Sequence, residues 1–174
     1  MLDVPGVGKL TVSMVDAANA TVFVRAADLG LTGIEMPDAL EANTAIMQKL
    51  AAIRAQAAVA MGITKTAEEA LKKGGTPFVG FIAGPQDAVT LTGDKLNEND
   101  IDLTARMLSN GQPHRALPLT VTLCTAVAAR IEGSVVHAAT RAVSDKNAPI
   151  RIAMPSGILT VAADVKLKDG QWHA

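Results

Sequence analysis

Residues 119–131, LTVTLCTAVAARI, decide the fold, because the same apolar run can be laid down as a strand or wound as a helix. Its β-branched start at Thr120, Val121 and Thr122 favours a strand. The alanine-rich end, followed by Glu132 and Gly133, favours a helix with a glycine stop. We read residues 122–131 as a helix. Strands are expected on both sides of it. Upstream, residues 100–108 (DIDLTARML) set Ile101, Leu103, Ala105 and Met107 against Asp102, Thr104 and Arg106, the period of a half-buried strand. Downstream, residues 150–153, 158–162 and 165–167 read as strands separated by the Pro155-Ser156-Gly157 turn.

Further out, the alternation in residues 7–15 (VGKLTVSMV) predicts a first strand, residues 16–20 (DAANA) interrupt it, and TVFV at 21–24 predicts a second. Gly30 and Gly33 mark a loop. Apolar residues at Ile46, Met47, Leu50, Ile53, Ala57, Ala60 and Met61 recur at helical spacing, with Pro37 suited to the first turn of a short preceding helix and Gly62 to a C-cap. Thr66 can cap AEEALKK, which ends at Gly74-Gly75. Residues 77–84 and 88–93 return to strand character, and Asn110-Gly111 and Asp169-Gly170 are hairpin signals. Strands mixed with two substantial helices make the class α+β, with no internal repeat and no linker dividing the 174 residues.

Composition removes several functions. Hydrophobic residues make up 49 % and charged residues 19 %, a core-forming balance. With 16 Lys+Arg against 17 Asp+Glu there is no cationic excess to displace phosphate counterions, and aromatics at 2 % supply no stacking platform, so a nucleic-acid partner is not expected. The apolar stretch at 51–61 is interrupted by Arg54 and Gln56 and is too short to cross about 30 Å of hydrocarbon. Residues 1–9 carry no apolar h-region. Cys124 is the single cysteine, and no Cys/His spacing suits a metal. A soluble, cytoplasmic protein without metal is the expectation.

Four stretches in order resemble the PrpF family of small-acid isomerases: DAANATVFVRAADLGLTGIE at 16–35, NDIDLTARMLSNGQPHRALPLT at 99–120, LCTAVAARIEG at 123–133, and MPSGILTV at 154–161. The family includes methylaconitate and methylitaconate isomerases and an oxalomesaconate tautomerase. The resemblance implies the diaminopimelate epimerase fold, in which each of two similar halves wraps a curved, mostly antiparallel sheet around a central helix. It also implies a longer protein, whose amino-terminal half carries an arginine-glycine-glycine-threonine-type loop and supplies a lysine and a cysteine for proton transfer. No such loop occurs here. The chain is therefore expected to be a single domain, the carboxyl-terminal half alone. The family reaction removes a proton beside a carboxylate-bearing carbon and returns one elsewhere on the allylic system, which requires no cofactor.

Donors for carboxylates are what this half is expected to supply. Asn19 matches the asparagine of the family's Asp-Ala-Gly-Asn-Pro motif, with Ala18 and Ala20 in place of the glycine and proline; it either faces the ligand or only supports the turn. Ser156 and Gly157 belong to a turn able to form a small anion-binding concavity, or to an ordinary hairpin; Met154 stands where the family has histidine. Thr120 and Thr122 are candidate caps or ligand contacts at a helix amino terminus. His114 either binds an anion or is a solvated turn residue. Cys124 lies further into the helix than the catalytic cysteine of the related epimerases, where a small buried hydrophobe is the commoner role. Arg106 and Arg115 can each pair with a carboxylate, but arginines on a strand face are usually solvated.

Three readings follow. The chain binds part of a small carboxylic acid and awaits its missing half. Alternatively it is a non-catalytic binding or self-associating module, its partner a second copy. In the third, two copies form a self-sufficient enzyme whose base is Cys124 or His114.

Overall fold

Alternating side chains place two different cores on the two faces of one sheet. The structure, a computed structural model, describes residues 1–142, 145 and 148–174. The chain enters through a hairpin of β1 (Leu2–Val4) and β2 (Gly8–Leu10), then folds β3 (Val12–Ala17) onto β4 (Asn19–Arg25). Helices α1 (Pro37–Ala42), α2 (Thr44–Ala60) and α3 (Ala67–Lys73) follow. Next come β5 (Phe78–Ala83), the small hairpin β6 (Ala88–Val89) and β7 (Lys95–Leu96), β8 (Leu103–Ser109) and β9 (Gln112–Pro113). Helices α4 (Leu119–Arg130) and α5 (Val135–Ala139) precede the hairpin of β10 (Ile150–Met154) and β11 (Gly157–Val161). A last hairpin pairs β12 (Lys166–Lys168) with β13 (Gln171–His173).

The main sheet is seven-stranded, in the order β11-β10-β8-β5-β4-β3, with β9 also paired to β8. Two pairings, β10 with β8 and β4 with β5, are parallel, and the others are antiparallel. On one face Phe23, Ile82, Leu103, Ala105 and Met107 pack against Val121, Cys124 and Ala128 of α4 and Val136 of α5. On the other, Val22, Val24, Val79 and Phe81 pack against Leu50, Ile53 and Ala57 of α2. Each large buried side chain contributes roughly 1.5–3 kcal/mol. Alternation within β4 and β5 thus serves both cores at once, and α4 is the central helix of the sheet. Gly80 lies opposite Met107 across the β5–β8 pair, where an added Cβ would sit 2.1 Å from the Met107 sulfur. The missing side chain is what seats the methionine.

Several elements differ from the sequence reading. The strand expected over 7–15 breaks at Thr11, because β2 pairs with β1 while β3 pairs with β4. Residues 16–20, read as an interruption, are instead the paired ends of a very tight hairpin, with Ala17 opposite Asn19. The strand expected over 88–93 shrinks to Ala88–Val89. Helix α4 starts at Leu119, three residues early: burial of Val121 and Cys124 outweighs the weak helix propensity of the β-branched residues. Arg106 is not solvated. It is 2 % exposed and donates to the carbonyls of Glu35, Ala105 and Ala153; burial pushes its guanidinium down to about 10, still charged at neutral pH. Other sequence signals match the structure. Thr66 caps α3 through Glu69 N–H, Gly62 follows α2 in a left-handed conformation, and both Asn110-Gly111 and Asp169-Gly170 have the positive φ pair of a type I′ turn.

Candidate carboxylate-binding rim at the amino end of α4

The amino end of α4 and its lead-in each touch one hairpin of the sheet. One is the β3–β4 hairpin, whose reversal depends on Ala18 at φ 67°. Such a left-handed conformation costs a non-glycine residue roughly 1–2 kcal/mol, so the turn is strained at Ala18. The reversal presents Asn19 as the first residue of β4 rather than as a loop residue. Its Nδ2 donates to Thr120 Oγ1 at 3.2 Å. Two residues singled out separately in the sequence are therefore in contact, although 101 positions apart.

Pro118 is the N-cap of α4 and makes no side-chain cap bond, so neither Thr120 nor Thr122 caps the helix. The first intrahelical bond runs from Thr122 N–H to the Pro118 carbonyl at 2.9 Å. By helix geometry the N–H groups of Leu119, Thr120 and Val121 have no carbonyl one turn back, and the positive end of the helix dipole coincides with them. Thr120 is exposed there. Thr122 is not: it is 1 % exposed, and its hydroxyl donates to the Pro118 carbonyl at 3.1 Å. Cys124 is fully buried, with Sγ donating to the Val15 carbonyl at 3.4 Å. Burial pushes its thiol up, against smaller opposing effects from Thr21 and Ala17. A nucleophile needs the opposite, an accessible and lowered thiol.

The second turn joins β10 to β11. Met154 pairs with Gly157 across Pro155 and Ser156, with Ser156 exposed and Gly157 at φ 135°, a conformation suited to glycine. Two bonds hold it. Leu117 N–H donates to Met154 Sδ at 3.3 Å, and Leu91 N–H to the Pro155 carbonyl at 2.8 Å. The first ties the turn to the lead-in of α4, which gives the Met154 thioether a bonding role of its own.

His114 follows β9. Its Nε2 and Ser109 Oγ share a hydrogen bond at 2.7 Å, and its ring stacks on Phe78 with centroids 5.9 Å apart. Burial pushes the imidazole down, leaving it neutral near pH 7. Phe78 in turn pairs with Thr21, two residues along β4 from Asn19. Arg115 does not face the rim as a free cation, because its Nη2 pairs with Asp38 at 2.8 Å. Leu91, Ser109 and Phe78 were not foreseen: Leu91 acts through its backbone N–H, which every non-proline residue carries, and the other two matter only through the neighbour that the topology supplies.

The rim is open. Clefts of about 750 and 720 Å³ flank the last hairpin and share Trp172, and one of about 610 Å³ lies beside β6 and β7. None of the three is lined by Asn19, His114, Thr120 or Ser156. Among the described residues no group of three or more His, Cys, Asp or Glu is placed to hold a metal ion, and no helix is long and apolar enough to cross a membrane.

Residues 1–173 match the PrpF protein family. This chain belongs to the PrpF family. It is 35 % identical to the 2-methyl-aconitate isomerase of Shewanella oneidensis over 172 residues, which is 99 % of this chain and 43 % of that protein. It is 36 % identical to the 3-methylitaconate isomerase of Eubacterium barkeri over 161 residues, 91 % of this chain and 42 % of the relative. Among solved structures, a methylitaconate-delta-isomerase superposes with a TM-score of 0.90 at 34 % identity, covering 99 % of this PrpF chain and 45 % of the other. The α+β architecture, a curved sheet around a central helix, is thus that of the PrpF isomerases. This PrpF chain spans less than half the length of the relatives it matches.

Proposed function

We propose that this PrpF chain is the carboxyl-terminal half of an isomerase that shifts a double bond in a small unsaturated di- or tricarboxylic acid of the methylaconitate type. The observation that carries the reading is the Asn19–Thr120 contact at the exposed amino end of α4. There an amide, a hydroxyl and the unpaired N–H groups of a helix start converge as donors for a carboxylate. Ser156 adds a further hydroxyl from the turn tied to Leu117. The allylic shift needs a base on one face and an acid on another. The groups found here are donors, and Cys124 is buried, so the proton-moving pair is assigned to the amino-terminal half. Proton transfer alone completes such a shift, without a cofactor, in the cytoplasm.

Titrating the chain with 2-methylaconitate in a calorimeter tests this. Binding is expected, weakened about tenfold or more in Asn19→Ala, since a hydrogen bond to a charged group is worth about 1.5–3 kcal/mol. Alkene absorbance should stay constant when the chain alone is mixed with the acid. Robust turnover would refute the division of labour between halves, and equal affinity of Asn19→Ala would remove Asn19 from the site.

One observation favours a second reading, a self-associating module. Leu119 and Leu123 lie one helical turn apart on α4 and are 75 % and 40 % exposed. Light scattering tests this second reading: a strict monomer at high concentration leaves only the first. The third, a self-sufficient homodimeric enzyme, finds no support in the buried Cys124.

A further inference from the structure

Between β6 and β7 the chain closes a loop, residues 90–94, through its own side chains. Asp94 Oδ2 accepts from Thr92 Oγ1 at 2.5 Å and from Thr90 Oγ1 at 3.3 Å. The two threonine hydroxyls lie 2.9 Å apart, and the N–H groups of Thr92 and Asp94 donate back to Thr90 Oγ1 at 3.3 and 3.1 Å. Thr90 N–H reaches the Asp94 carbonyl at 2.9 Å and Gly93 N–H the Thr90 carbonyl at 3.0 Å. All but one of the N–H and hydroxyl donors of the loop are thus spent inside it, which braces the loop through its own side chains. The exception is Leu91 N–H, which donates outward to the Pro155 carbonyl at 2.8 Å. The Leu91 side chain is 43 % exposed, so core filling does not explain why this residue is held here.

We propose that the loop at residues 90–94 is a positioning device for the turn that carries Ser156. The turn has two anchors of unequal strength. Leu117 N–H bonds a thioether, a weak acceptor, whereas Leu91 N–H bonds a full carbonyl. The stronger anchor comes from the loop, so the placement of Ser156, and with it any bond from its hydroxyl to a carboxylate, depends on a segment outside the turn itself. Asp94 is the positioning residue, because its carboxylate closes the net that fixes Leu91. The inference rests on the carboxylate-binding reading of the rim and adds a residue that governs affinity from outside it.

The test compares Asp94→Ala and Asp94→Asn in the 174-residue chain, by calorimetry with 2-methylaconitate and by backbone amide NMR. Asp94→Ala is expected to weaken binding about tenfold, within the range a small misplacement can cost. The Ser156 and Gly157 amide resonances should move, while those of Asn19 and Thr120 stay in place. Asp94→Asn retains an oxygen acceptor for Thr92 and should restore both affinity and spectrum. Wild-type affinity in Asp94→Ala with unmoved Ser156 and Gly157 resonances overturns the proposal, as does an Asp94→Asn variant as weak as the alanine. If the wild-type chain binds no acid, the rim reading fails, and the spectra still decide the loop's role: displaced Ser156 and Gly157 amides uphold the bracing, unmoved ones end it.

Discussion

Ala18 shows how far a single residue can depart from its turn's preference and still be tolerated. At φ 67° it pays a steric cost that glycine avoids, partly offset because glycine loses more freedom on folding. Ala18→Gly is therefore expected to raise the unfolding free energy by about 0.5–1 kcal/mol in urea melts; no gain would mean that the turn has relaxed around the alanine. Asp102 shows the opposite, a residue whose cost is met. Burial alone raises its carboxyl, but hydrogen bonds from the Arg151 side chain and backbone outweigh that and hold it below the ordinary carboxylate value. A lowered folded-state carboxyl contributes stability that is complete above the unfolded pKa, about 4, and is lost as pH falls through the folded value. Arg151→Ala should cost about 2 kcal/mol at neutral pH, less than a fully buried pair because Arg151 is 36 % exposed. Acid unfolding should also begin at higher pH in the variant. Asn19 and Ser156 could be picked out in the sequence because short motifs frame them. The burial of Thr122 could not, since which way it faces depends on a helix that starts at Leu119.

Elements were legible where one periodicity dominated and obscure where two packing demands met. Helix α2 declared itself through its apolar spacing, whereas the start of α4 was hidden by β-branched residues that burial tolerates. The β5–β8 pair was recognisable as two strands, but not the coupling between them. Gly80 and Met107 face each other, and an added Cβ would lie 2.1 Å from the sulfur and 3.1 Å from the Arg106 carbonyl. Gly80→Ala is thus expected to destabilise by about 1–3 kcal/mol through overpacking. Combining it with Met107→Ala should recover part of that loss, because the smaller side chain vacates the space. Strictly additive losses in a double-mutant cycle would show that the backbone, not the methionine, sets the limit.

For the whole molecule, the two cores leave one part of the central helix without cover. Helix α4 buries Val121, Cys124, Ala126 and Ala128, yet its first turns expose Leu119 and Leu123 beside the donors Asn19 and Thr120. A surface that sets exposed apolar side chains beside an amide, a hydroxyl and a helix start suits an opposing surface as well as the proposed ligand, and the relatives are more than twice as long as this chain. If the opposing surface is absent in solution, a second copy is the available substitute. Burying what these two leucines expose on each copy is worth about 5 kcal/mol before association costs are subtracted, which makes self-association weak, in the millimolar range at best. Sedimentation equilibrium over that range should show a monomer–dimer equilibrium for the chain. The double variant Leu119→Lys with Leu123→Lys should remain monomeric with an unchanged melting temperature, because neither side chain belongs to a core. A dimer that persists in the double variant would move the contact elsewhere on the molecule, and a wild-type chain monomeric at millimolar concentration would show that the exposed leucines do not drive association.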